Sequence, residues 1–453
     1  MSHYKPYPAY KDSGVEWLGE VPEHWAVCKL SFRYSIELGK MLDEKKLTKT
    51  SLVPYLRNQD VQWGSINTQD LPEMDIHPEE LERYTIRDGD LLVCEGGDVG
   101  RAAIWRGESA AFGYQKALHR LRHRSSGADT AEFFFFALLT AKCRGVFEES
   151  DSKATIAHLP AEKFRQYRFA FPPLSEQQAI ATHLDRETAR LDALVAKKTR
   201  FTELLREKRQ ALITHAVTKG LNPNVRMKDS GVEWLGQVPE HWETMSLARV
   251  TVARCDGPFG SAIKSENYTD SGVRVIRLQN IGIGEFKDGD QAFLSPEYRT
   301  EVIGHGHDVE PGDLLIAGLG DENNPLGRTC VAPSSLGDAI VKADCYRFRT
   351  DRSKALPAFL ALQLSATARV ECGFISTGST RERLNLGLAA SRVIALPPST
   401  DEQSAIVERA SMAAARLDAL LSKTEHSIEL LKERRAALIT AAVTGQIDLR
   451  EHH

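Results

Sequence analysis

From residue 184 onward, one row of positions recurs every seven residues: Leu184, Leu191, Lys198, Leu205 and Leu212. An interleaved row runs through Ile180, Glu187, Leu194, Phe201, Lys208 and His215. A seven-residue period kept up this long predicts one helix with a coiled-coil seam, over about 175–219. Pro172-Pro173 ends the preceding segment, Ser175 and Gln178 form a candidate capping box, Glu176 suits the first turn, and Gly220 is a natural stop. Such a helix is ~65 Å long. A second seam follows near the C-terminus, with Leu417, Thr424, Leu431 and Leu438 in one row and Ile406, Ala413 and Leu420 opening the other. Pro397-Pro398 precedes it, Thr400 and Asp401 are its candidate N-caps, and Gly445 ends it. Neither half-apolar helix is stable alone, so the two are predicted to pack on each other, antiparallel.

Between the helices the period changes. Short strand-like runs at 53–57, 90–94, 273–277 and 313–317 alternate with Gly-rich turns, and one helix is predicted in each block, around 130–144 and 356–371. The chain therefore divides into residues 1–173, a central helix and linker over 174–228, a second block over 229–398, and a C-terminal helix over 399–453. The fold class is α+β.

The chain is also written twice. DSGVEWLGEVPEHW at 12–25 returns as DSGVEWLGQVPEHW at 229–242 with a single difference. LLREKRQALITHAVT at 204–218 returns as LLKERRAALITAAVT at 430–444, and RLDAL occurs at both 190–194 and 416–420. The intervening blocks, 26–173 and 243–398, share only a skeleton: DGDLL at 88–92 against PGDLL at 311–315, Gly100-Arg101 against Gly327-Arg328, and Leu56-Arg57 with Asp60-Val61 against Ile276-Arg277 with Asn280-Ile281. Near-identical parts are expected to do one job twice, and diverged parts two jobs on one scaffold. A pseudo-twofold chain presents the same patch twice.

Composition narrows the class. The chain has 453 residues, 42% hydrophobic and 26% charged, as soluble globular proteins do. The longest apolar stretch, Phe133–Leu139, is far short of the ~20 residues that cross a bilayer. Seven scattered cysteines without a CxxC pair point to a reduced cytoplasm rather than a zinc or disulfide framework. The formal net charge of −4 does not announce a nucleic-acid binder, so any such surface must come from folding that segregates charge.

Catalytic signatures are missing. There is no GxxxxGK[ST] loop and no HExxH helix. Gly96–Gly100 reads as a turn, His305 and His307 as solvated loop, and NPNV at 222–225 is not a methyltransferase loop. Trp17, Trp25, Trp234 and Trp242 are either apolar staples between block and helix or direct partner contacts. Lys116, Arg120, Arg122 and Arg124 alternate along one run, and Lys342, Arg347 and Arg349 take corresponding places in the second block. Alternation places several on one strand face. With Lys153, Arg277, Arg381 and Arg383 they are the candidate DNA contacts. The seam candidates are Leu184, Leu191, Leu194, Leu205, Leu212, Leu417, Leu420, Leu431 and Leu438.

Taken together, the duplicated WLGxVPxHW, FPPLSEQQ at 171–178, LPPSTDEQ at 396–403, and the twin helices ending ALITxAVT resemble the specificity subunit of type I restriction–modification enzymes over nearly the whole length. The run from Cys255-Asp256-Gly257-Pro258 to Gly378-Ser379-Thr380 is similar to that family's target-recognition domains. The first block departs from it, with Leu38-Gly39-Lys40 where the second has AspGlyPro. The resemblance implies two globular target-recognition domains separated by the antiparallel helices, each reading half of a split, asymmetric DNA site. It implies that the helices set the spacing and bind two methyltransferase subunits. It implies no cofactor in this chain: S-adenosylmethionine, ATP and magnesium belong to the methyltransferase and the translocating nuclease partners. The rival readings are an enzyme that methylates or cuts DNA itself, and a coiled-coil adaptor with no DNA role.

Overall fold

The computed structural model describes residues 4–42, 49–107, 112–125, 127–148, 158–258, 262–371 and 383–450, and the backbone of 372–375. The chain forms two compact units. One comprises Met1–Thr199 with His426–His453, the other Arg200–Glu425. Each unit holds one α/β block and one stretch of each long helix.

The first unit's block contains β1 (Ala26–Lys29), β2 (Tyr34–Leu38), β3 (Leu52–Leu56), β4 (Glu73–Asp75), β5 (Leu91–Cys94), β6 (Ala102–Ile104), β7 (Gly113–Tyr114), β8 (Leu118–His123), α1 (Ala131–Cys143) and β9 (Arg168–Phe171), and leads into the long α2 (Leu174–Lys219). Its main sheet has the order β6-β5-β8-β2, all antiparallel. A second sheet, β7-β3-β4, joins β7 to β3 in parallel, and β9 pairs with β1. Strand alternation gives the main sheet two faces. Leu91, Val93 and Leu121 face a core with Phe134, Leu138 and Phe171, while Leu92, Cys94 and Leu118 face a second core with Leu56 and Tyr114.

The second unit repeats this plan. Its block has β10 (Glu243–Ser246), β11 (Thr251–Cys255), β12 (Val273–Ile276), β13 (Phe293–Leu294), β14 (Asp308–Val309), β15 (Leu314–Ala317), β16 (Thr329–Val331), β17 (Ala339–Val341), β18 (Cys345–Thr350), α3 (Pro357–Ile375) and β19 (Val393–Leu396), followed by α4 (Thr400–Val443). The main sheet runs β16-β15-β18-β11, the second β13-β12-β17-β14 with β12 and β17 parallel, and β10 pairs with β19. The blocks are one fold, as their faint shared skeleton predicts. Among the described residues no helix is long and apolar enough to cross a membrane.

Each long helix is continuous and antiparallel to the other within both units. In the first unit Asp192 meets Arg435 at 2.9 Å. In the second, Arg209 meets Asp418 at 2.7 Å. These are the same two sequence positions of the repeat, paired reciprocally. The buried and half-buried seam of α2 runs Leu184, Thr188, Leu191, Val195, Lys198, Thr202, Leu205, Arg209, Leu212 and Ala216, alternately four and three residues apart. That of α4 runs Ala410, Ala414, Leu417, Leu421, Thr424, Ile428, Leu431, Arg435, Leu438 and Ala442. The first row of each predicted seam holds. The second row is one residue away from the prediction, and Leu194 and Leu420 lie outside the seam, each 41% exposed. The cap of α4 is Ser399, which accepts from the Asp401 N–H, rather than Thr400 or Asp401.

The duplicated motifs join block to helix. Trp25 is fully buried, and its Nε1–H donates to Glu176 in the first turn of α2 at 2.9 Å, with His24 Nε2 at 2.8 Å from the other carboxylate oxygen. Trp242, His241 and Glu402 repeat this at 3.0 Å for each contact. The next residue also recurs. Gln177 accepts from the Thr130 N–H and donates to the Pro172 carbonyl, and Gln403 accepts from Leu356 and donates to Pro397. Tyr7 also donates to Glu176, and burial with that carboxylate pushes its hydroxyl pKa up, keeping it a donor. The staple reading therefore describes Trp25 and Trp242. Trp17 packs edge-on against Phe169 at 5.5 Å, and Trp234 is partly buried against the second unit's core.

Candidate nucleic-acid interface

The alternating basic run does fall on one strand face, and that face is turned inward. Arg120, on β8, is 4% exposed, and its Nη1 donates to the Glu82, Arg83 and Thr85 carbonyls at 2.9–3.1 Å. Burial lowers its pKa. Arg122 makes a two-bond fork with Asp90 at 2.6 and 2.7 Å. In the second unit Arg347 is 7% exposed and donates to the Asp308 carbonyl, and Arg349 makes the same fork with Asp313 at 2.9 Å. Asp90 and Asp313 are the second aspartate of DGDLL and the aspartate of PGDLL. The sparse skeleton shared by the blocks is thus an internal clamp, and these four arginines hold the fold rather than project from it. Arg101 and Arg328, the other shared pair, likewise donate to backbone carbonyls, of Asn58 and of Ile281 and Leu278.

The remaining described candidates reach the surface. Lys116 is exposed at the turn into β8. Arg124 is exposed and donates to the Ser31 carbonyl at 2.8 Å. Arg383 is exposed, forked onto Asp344, which raises its pKa. Lys153 and Arg381 lie outside the described residues. Arg277 and Lys342 converge on a residue the sequence reading missed, Tyr268. The Arg277 guanidinium lies 5.6 Å and the Lys342 ammonium 5.4 Å from its ring centre, and Lys342 Nζ donates to its hydroxyl at 2.9 Å. Arg277 is also ion-paired with Asp290 at 2.5 Å. The first unit has a counterpart at Tyr84, with Arg83 at 5.2 Å and Lys40 at 5.8 Å. A partly exposed ring flanked by two cations offers both a stacking face and phosphate contacts. Spacing along the chain could not reveal the Tyr268 cluster, which joins separate segments; at Tyr84 the adjacent Arg83 was visible, but Lys40 comes from just past the end of β2.

The glycine is kept across the first block's departure at Leu38-Gly39-Lys40. A Cβ on Gly39 would sit 2.3 Å from the Gln115 carbonyl oxygen, and one on Gly257 would sit 2.0 Å from the Lys342 carbonyl carbon. Both glycines let the main-sheet edge cross the equivalent second-sheet turn, so Gly39 is the counterpart of Gly257. The base of each block's following segment is also held alike. His119 Nε2 lies 2.7 Å from the Leu159 carbonyl, and Tyr346, its counterpart on β18, donates to the Leu384 carbonyl. Burial pushes the His119 pKa down to about 4, so it is neutral with its proton on Nε2. Gly96–Gly100 forms the turn between β5 and β6. His307 Nδ1 bonds the Asp256 carbonyl, anchoring that loop.

Duplicated α/β blocks, each stapled to paired helices and carrying a basic–aromatic cluster, define a class. Residues 22–200 match the family model described as the type I restriction modification DNA specificity domain. The resemblance read from the sequence is supported over that segment, and the chain is similar to type I restriction enzyme specificity subunits. Among its relatives are the EcoBI specificity subunit of Escherichia coli, 23% identical over 87% of this chain and 80% of that one, and the MjaVIII specificity subunit of Methanocaldococcus jannaschii, 23% identical over 95% and 94%. A chain solved in a study of assembly and conformational transition of the type I R-M system shares the fold, with a TM-score of 0.69 over 93% of this chain and 98% of that one at 17% identity.

Proposed function

We propose that this chain is the non-catalytic DNA-reading subunit of a type I restriction–modification complex, with each block reading one half of a bipartite, asymmetric site. One observation carries this: two copies of a single fold keep the same internal clamps while their outward residues differ. The Tyr268 cluster with Lys342 and Arg277, the Tyr84 cluster with Arg83 and Lys40, and the exposed Lys116, Arg124 and Arg383 supply DNA contacts. Lys153 and Arg381 join them from their sequence position. Two methyltransferase subunits dock on the repeated helices. Leu194 and Leu420 are equivalent in the two copies, as are Leu204 and Leu430, and all four are 41–49% exposed, so the same apolar surface is offered twice. Those subunits bring S-adenosylmethionine, and a translocating nuclease brings ATP and magnesium. The paired helices act as the ruler between half-sites. Inserting four residues between Lys197 and Arg200 adds ~6 Å and is expected to lengthen the unread spacer by one to two base pairs. The test is methylation by the purified chain with and without methyltransferase subunits. Adenine methylation at one bipartite sequence is expected only with them; methyl transfer by the chain alone contradicts the reading.

A further inference from the structure

Among the described residues, the units differ where the block's helix ends. In the second, Glu371 on α3 pairs with Arg392 at 2.7 Å, with side chains 2% and 0% exposed, and Arg392 donates further to the Gly327 and Leu364 carbonyls. In the first, α1 stops at Cys143. Tyr167 takes the place of Arg392, since the carbonyls of the two accept from the equivalent Leu30 and Leu247 N–H groups. Counted from Thr130 and Leu356, which donate to Gln177 and Gln403, Gly145 takes the place of Glu371. Without the buried pair, a cleft of about 570 Å³ opens, lined by Trp17, Tyr167, Arg144, Arg168 and Glu16 beside the Gly14–Val15 turn.

Its chemistry is specific. Arg144 and Arg168 are exposed and bond only backbone carbonyls, of Trp17 and Val27, and neither has an ion-pair partner among the described residues. Unpaired guanidiniums are suited to bidentate phosphate contacts. Trp17 and Tyr167 are half-buried aromatic walls, the kind on which bases stack. Glu16 offers an acceptor to an exocyclic amino group. The volume lies within the ~300–1,000 Å³ of small-molecule clefts. A ligand that joins an aromatic ring to an anion matches this lining, and an isolated anion would leave the rings unused.

We propose that this cleft binds a nucleotide, with phosphate on Arg144 and Arg168 and the base against Trp17 and Tyr167, once per chain. The nucleotide is either free or part of a single strand. Isothermal titration of the full-length chain with ATP, AMP, pyrophosphate and a short oligothymidylate tests it. One site per chain is expected. Tighter binding of ATP or AMP identifies a free nucleotide, and tighter binding of the oligomer identifies a strand. Arg144→Ala with Arg168→Ala is expected to weaken that binding at least about tenfold, the scale of a lost charged hydrogen bond, and to leave duplex binding unchanged. Tyr167→Ala is expected to weaken ATP more than pyrophosphate, and Glu16→Gln, a surface change that leaves the packing intact, to weaken AMP severalfold. Absence of binding at about 1 mM of every probe, unchanged affinity in the double arginine variant, or pyrophosphate binding as tightly as ATP overturns the proposal.

Discussion

The two units solve one folding problem with the same parts and then part company. Both staple a tryptophan and a histidine to a glutamate in a helix's first turn, both fork an arginine onto the aspartate before a buried strand, and both press a glycine against the crossing turn. They diverge where an ion pair fills the second unit and a cleft opens in the first. Within the blocks, the arginines kept in both copies are internal clamps, whereas the exposed cationic residues differ. A block arginine matched in both copies is therefore evidence of a contact within the unit.

The largest test breaks the feature that only the second unit has. Glu371→Ala leaves the Arg392 charge buried without a partner and is expected to cost about 3–5 kcal/mol, seen as earlier denaturant unfolding of residues 243–396 by hydrogen exchange while 26–171 keep their stability. Replacing both partners with apolar residues, Glu371→Met with Arg392→Leu, is expected to recover most of that loss.

Next comes a change that probes the shared staple unequally. Trp25→Phe and Trp242→Phe each remove one donor from a glutamate, at about 1–3 kcal/mol when the carboxylate is buried. Glu176 is 4% exposed and Glu402 33% exposed, so the first unit is expected to lose more. Equal losses measured by denaturant unfolding would mean that burial does not set the cost.

The smallest effect is a difference in pH response. His119 is neutral and buried, with a folded pKa of about 4, below its unfolded value, and Arg165 and Glu162 act on it from the neighbouring segment. Between those two values the unfolded state binds the extra proton, so stability rises with pH there. The first unit is expected to lose stability as pH falls from about 6.5 towards 4. His119→Tyr, which installs the second unit's residue, should flatten this response. An unchanged slope in thermal melts would assign it to other groups.

How far the sequence carried depended on what decides burial. The long helices, the duplication and the block helices at Ala131–Cys143 and Pro357–Ile375 were legible, because period and repeat report local geometry. The second seam row was not. Ile180, Leu194 and Phe201 look like seam residues, but the partner helix faces Thr188, Val195 and Thr202, and only tertiary geometry chooses between rows one residue apart. The same applies to Arg120, Arg122, Arg347 and Arg349: alternation put them on one face, and the second sheet made that face interior. The retained pairing of Asp90 with Arg122 and Asp313 with Arg349 was the available signal. Tyr268 gave none, since Arg277 and Lys342 come from other segments, and at Tyr84 only the adjacent Arg83 was in view, not Lys40.

The central claim is that the two blocks read DNA independently. Its most direct measurement is to replace residues 26–173 with the corresponding block of a relative, assemble the chain with its methyltransferase subunits, and map the methylated adenines. The account predicts that one half of the bipartite sequence changes while the other half and the spacer stay the same. A change in both halves, or in neither, would contradict it.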